Sequence, residues 1–76
     1  MTSRPRKHSL TLKGHRTSVS LEEEFWRAFL DIAKKDNRAI NDLAAEIDAA
    51  RGTDCGLASA IRVYVLNRVR AGSDEA

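Results

Sequence analysis

Arg16, Ser18 and Ser20 alternate with Thr17, Val19 and Leu21. A period of two marks a half-buried strand, with the first three side chains on one face and Val19 and Leu21 on the other. A guanidinium followed by two hydroxyls is a hydrogen-bonding set rather than an acid–base set. The planar fork of arginine fits paired acceptors such as guanine O6 and N7, and a short hydroxyl donates or accepts. Nothing else in the chain points to catalysis. There is no Ser-His-Asp or Cys-His arrangement and no glycine-rich phosphate loop, and Glu22, Glu23 and Glu24 are better placed to meet a helix dipole than to move protons. His8, His15 and Cys55 lack metal-ligand spacing. No catalytic residue, metal or cofactor is expected.

The charge is unevenly placed. Of the 13 Lys and Arg in the 76 residues, Arg4, Arg6, Lys7, Lys13 and Arg16 come first, and none of the 11 acids precedes Glu22. A basic leading segment replaces counterions on phosphates, although many such termini are merely solvated. Residues 1–9, which include Pro5 and show no periodicity, read as a disordered basic arm, with Arg4, Arg6 and Lys7 as phosphate contacts.

These groups need elements to hold them. Leu10 and Leu12 suggest a short extended piece, and Gly14 marks a bulge, a turn or the start of the strand. From Leu21 the period changes, and Leu21, Phe25, Ala28, Phe29, Ile32 and Ala33 share a helical face, predicting a helix over 21–35. Ser20 and Glu23 match a capping box. Phe25 and Phe29 fall on the core stripe, and Trp26 beside it is expected to cover a seam between subunits. After the break at 36–38, Ile40, Leu43, Ala44 and Ile47 predict a second helix over 39–50. A loop at 52–56 follows. Residues 57–70 carry Leu57, Ile61, Val65 and Val69 four apart, which favours a third helix; the β-branched stretch 61–66 leaves a strand as the alternative. Residues 71–76 read as a frayed tail, so the folded domain spans 10–70.

A single core in so short a chain rarely supplies more than about 3 to 5 kcal/mol. With one cysteine there is no internal disulfide, so a dimer is expected. No apolar run approaches the roughly 18 residues of a membrane span, and no signal-peptide core is present. A cytoplasmic protein without membrane contact is expected.

The order of strand, helix, tight break and helix, with the strand Thr17-Ser18-Val19-Ser20-Leu21 and the acidic turn after it, resembles the ribbon-helix-helix (Arc/MetJ-like) DNA-binding family, in a small bacterial subgroup with an added C-terminal helix. The resemblance implies a mainly α fold in which one N-terminal strand pairs antiparallel with that of a partner chain, followed by two helices and a third. An alternative alignment makes Leu57 the start of the family's second helix and treats 36–56 as an insertion. The implied dimer core is Val19, Leu21, Phe25, Phe29, Ile40, Leu43 and Ile47. The two-stranded ribbon would enter the major groove of double-stranded DNA, with Arg16, Ser18 and Ser20 contacting bases. Arg38, Ala39, Ile40 and Asn41 at the start of the second helix would contact phosphate, and Asn37 or Asn41 would replace the hydroxyl missing at Ala39. The implied function is a homodimeric transcriptional regulator, most simply a repressor. The alternatives are an antitoxin-type module whose C-terminal helix holds a protein partner, and a nucleoid-type binder with little sequence preference.

Overall fold

The computed structural model describes residues 4–51 and 56–74. Lys13 and Gly14 both take left-handed backbone, with φ of 52° and 82°. That pair of conformations builds a two-residue type I′ hairpin loop, and glycine adopts it without a steric penalty. The loop joins β1, Arg6–Leu12, to β2, His15–Leu21. The strands are antiparallel, in register from Leu12↔His15 at the turn to Arg6↔Leu21 at the far end. Gly14 is therefore a turn. Every even residue of β1 that faces the core meets an odd residue of β2, which accounts for the opposite parity of Leu10 and Leu12 against Val19 and Leu21.

One expectation changes here, and one strand is added. Residues 6–9, assigned to a disordered arm, form the first half of β1. One edge of β2 is paired antiparallel with β1 of the same chain. A two-residue loop makes that pairing local, so no second molecule has to be immobilised to form it.

Helix α1 spans Glu23–Lys35, with Glu22 as its N-cap and no side-chain cap. The Ser20–Glu23 capping box does not form, because Ser20 and Leu21 stay in register with Lys7 and Arg6 of β1. Acidic Glu23 and Glu24 in the first turn and Lys34 and Lys35 in the last complement the dipole. The helix stops where Asn37 turns left-handed, with φ of 55°. Its N–H donates to the Lys34 carbonyl at 3.1 Å and that of Arg38 to Ala33 at 2.9 Å, a Schellman ending.

Helix α2 covers Ile40–Ala50, and α3 covers Leu57–Asp74. The third apolar segment is thus a helix. It continues through 71–74, which the sequence suggested would fray. Of the remaining expectations, those for the loop at 52–55, the first three residues of the arm and the last two of the tail lie outside the described residues.

Leu10, Val19, Leu21, Phe29, Ile32, Ala33, Leu43, Ala44, Ile47, Ile61 and Val65 make one buried cluster, with Phe25, Trp26 and Ile40 partly buried against it. The residues assigned to a dimer core therefore pack inside a single chain. Leu10 of β1 and Ile61 and Val65 of α3 lie in the same cluster. Trp26, expected to cover a seam between subunits, stacks within the chain on His8 of β1, with ring centroids 4.1 Å apart and planes 10° from parallel.

Side chains also tie α3 to α1. Arg68 grips Asp36 with both guanidinium arms, at 2.6 and 2.8 Å, and donates to the Tyr64 hydroxyl at 2.9 Å. The hydrogen bonds from Arg68 hold the Asp36 carboxyl below its ordinary value of 3.8. A carboxylate with a depressed pKa in the folded state stabilises above its unfolded pKa, and that contribution disappears as the pH falls through the folded value. Asp36→Asn should therefore melt below the parent at neutral pH, with the gap closing as the pH drops below the ordinary aspartate range. Thermal unfolding of both proteins across that range checks this, and a gap constant with pH would contradict it.

Candidate functional site

The register assigns each strand residue to a face. Leu10, Val19 and Leu21 turn into the core, and Lys7, Ser9 and Thr11 of β1 share the outer face with Arg16, Ser18 and Ser20 of β2. All six are exposed. They meet as cross-strand pairs, Lys7 with Ser20, Ser9 with Ser18, and Thr11 with Arg16. The face holds two cations and four hydroxyls. It has no carboxylate, since the acids begin at Glu22 and lie beyond the hairpin. Such a surface favours acceptor-rich, negatively charged ligands.

The hairpin also fixes which main-chain groups are free. In a two-residue hairpin the pair flanking the turn exchanges both ladder bonds, and the pattern alternates from there. The N–H and C=O groups of His15, Thr17, Val19 and Leu21 therefore face β1, whereas those of Arg16, Ser18 and Ser20 face away from it. On β1 the groups of Lys7, Ser9 and Thr11 likewise face outward. Two contacts agree with this assignment. The Thr11 N–H donates to Asn41 Oδ1 at 3.0 Å, and the Ser20 carbonyl accepts from Arg62 Nη2 at 3.4 Å.

The two edges consequently differ. The edge of β1 is met by the start of α2. Among the described residues the outward main-chain groups of Arg16 and Ser18 on the edge of β2 accept or donate no protein hydrogen bond, and α3 bonds that edge at Ser20. Arg62 is held there by Glu22, with Nη2 2.9 Å from Oε1. The hydrogen bond to its own backbone N–H, then that from Arg62, lowers the Glu22 pKa.

The structure brings together Arg16, Ser18 and Ser20 as expected, and separates some of the other site residues from them. Lys7 joins the outer face as a strand residue rather than as part of an arm. Arg4 and Arg6 line a shallow depression with Pro5, Glu23 and Arg27, on the helix side of the hairpin. Arg38 is paired with Glu46. Ala39 is the N-cap of α2 with no side-chain cap. Neither asparagine fills that role, because Asn37 forms the left-handed ending of α1 and Asn41 is bonded to Thr11. The amides at the start of α2 therefore carry no side-chain acceptor, while Asp42 in the first turn offsets part of the positive end of the dipole.

Ser9 and Thr11 were missed as site residues. The signal that finds them is the alternation of Lys7, Ser9 and Thr11 with His8, Leu10 and Leu12, continued through a Lys13-Gly14 turn.

Compared with known families, the chain matches the family model described as a ribbon-helix-helix domain over residues 5–69. The match takes in β1, β2, α1, α2 and α3 as far as Val69, so the first strand of the hairpin and the third helix both lie within the matched domain. No curated protein and no solved structure matches the chain.

Proposed function

The chain belongs to the ribbon-helix-helix family, and from that premise we propose that it is a homodimeric transcriptional regulator, most simply a repressor, that places a two-stranded ribbon in the major groove of DNA. Domains of this family are in general DNA-binding and non-enzymatic, and typically bind as dimers. The observation that carries the reading is the acid-free outer face, in which Arg16, Ser18 and Ser20 form one row beside an open strand edge.

A second copy pairs along that edge. With the two β2 strands antiparallel about Ser18, Arg16 faces Ser20 of the partner subunit, and the outward N–H and C=O groups find partners that water otherwise supplies. A strand edge alone contributes little, so apolar area has to accompany it. Val63, Leu66 and Val69 supply it: they recur every three residues along α3 and are 55%, 51% and 52% exposed.

In the groove Arg16 takes the bidentate guanine contact. Ser18 and Ser20 discriminate weakly, as short hydroxyls that both donate and accept. Arg38 and the amides of Ala39, Ile40 and Asn41 lie toward phosphate, with Arg4, Arg6 and Lys7 adding to the basic field.

Two other readings rest on particular features. In an antitoxin-type module a different protein covers the α3 stripe. In a nucleoid-type binder the lone long base-reading side chain in each β2 row leaves sequence preference slight. Selection from a random duplex pool, followed by comparison of selected and random duplexes, separates that last reading from a specific regulator.

Arg16→Ala should weaken binding to a selected duplex by about 1 to 3 kcal/mol and relax preference at one base pair per half-site. Unchanged affinity and preference would remove Arg16 from the interface. A proline pair tests the dimer. Ser18→Pro deletes an outward N–H and should leave the hairpin folded while light scattering reports a monomer that no longer binds DNA tightly. Val19→Pro deletes a ladder N–H and should unfold the hairpin itself. A Ser18→Pro protein that stays dimeric would place the interface elsewhere.

A further inference from the structure

Pairing along β2 gives a sheet of four strands, with the two β2 strands central and a β1 on each flank. On each flank the Thr11 N–H at the turn end of β1 is taken by Asn41 Oδ1 at 3.0 Å. Neighbouring strands lie about 4.8 Å apart, so the two β1 strands are about 14 Å apart. The major groove is only about 12 Å wide. Two strands enter it, and four do not.

We infer that β1 is the groove-wall strand of this interface: Lys7, Ser9 and Thr11 contact the phosphates bordering the major groove, while Arg16, Ser18 and Ser20 reach the bases between them. This rests on the dimeric ribbon proposed above. The chemistry of the row fits the task, since an ammonium and two hydroxyls are donors to phosphate oxygen, and Lys7 is a flexible point charge rather than a bidentate reader. Lys7, Ser9 and Thr11 are exposed, and their cross-strand neighbours are Ser20, Ser18 and Arg16 respectively. Beyond β1 lies the start of α2, whose first amides have no side-chain cap. From the centre outward the surface therefore runs from base-reading groups, through phosphate donors, to a helix N-terminus. Asp42 weakens that terminus as an anion site, which leaves the larger share of the phosphate contact to β1.

The test uses the full chain, a fluorescent duplex recovered by the parent protein from a random pool, and a random-sequence duplex, each titrated over a range of salt. Lys7→Gln should weaken both duplexes by the same factor and make the log–log salt slope shallower by up to about 0.9 per contact, or about 1.8 for the dimer. The double variant Ser9→Ala/Thr11→Val removes both hydroxyls and leaves the Thr11 backbone bond in place, with valine replacing threonine as a β-branched strand residue. It should weaken both duplexes equally, by about tenfold, with salt slope and base preference unchanged. Unchanged affinity in both variants would overturn the inference while leaving a positive Arg16→Ala result, and with it the DNA-binding reading, in place. A change in base preference in either variant would overturn it differently, by putting β1 inside the groove so that one hairpin is the whole ribbon. A parent protein that binds neither duplex would overturn both the inference and the reading it rests on.

Discussion

The pairing of β1 with β2 across Lys13 and Gly14 is the constraint from which the rest of the molecule follows. It fixes the register, and the register sorts every side chain of residues 6–21 to the core or to the outer face. Moving the pairing by one residue would put Leu10 on the same face as Ser18 and Ser20 and opposite Val19 and Leu21, so that neither face could be buried without burying polar side chains. It also sorts the main-chain groups, so that alternate residues of β2 have their amides committed to β1 or left facing away. The candidate interface and the candidate dimer edge are thus two consequences of one turn. Gly14, with its φ of 82° and no atom near its Cβ direction, is held there by conformation rather than by crowding.

The helices complete what the hairpin starts. A two-stranded sheet is marginal by itself, and here its inner face is covered by Phe29 and Ile32 of α1, Leu43 and Ile47 of α2, and Ile61 and Val65 of α3, all buried. Polar contacts then hold the edges at specific points, Asn41 on β1 and Arg62 on β2. The fold is closed within one chain. Among the described residues the most exposed large apolar side chains are Val63, Leu66 and Val69 of α3, and the outward groups of Arg16 and Ser18 in β2 carry no protein hydrogen bond. Those two features, rather than an incomplete core, are the physical case for a second copy.

The three helices were legible in the sequence because their apolar spacing runs for several turns and their ends carry charge or glycine. The strand from Thr17 to Leu21 was legible from its alternation, and so was the row formed by Arg16, Ser18 and Ser20. β1 was not. Its inward residues are few, Arg6 and Lys7 look like the charges of an unstructured terminus, and the turn hides behind Lys13, which is not a usual left-handed residue. The opposite parity of the two leucine and valine sets was the readable trace, and a two-residue turn is what produces it. The fates of Asn37 and Asn41 were not legible either: each was a plausible cap for α2, and only the tertiary arrangement decides that one ends α1 while the other bonds β1.

Amide hydrogen exchange along β2, followed by nuclear magnetic resonance at decreasing protein concentration, tests the central claim most directly, since backbone amides report pairing one residue at a time. If β2 pairs with β1 in its own chain and offers its other edge to a second copy, Thr17 and Val19 remain protected on dilution, whereas Arg16 and Ser18 lose protection as the dimer dissociates and regain it with DNA. Loss of protection at Thr17 and Val19 together with dimer dissociation would contradict the account, because the strand would then depend on its partner for the pairing assigned here to the hairpin.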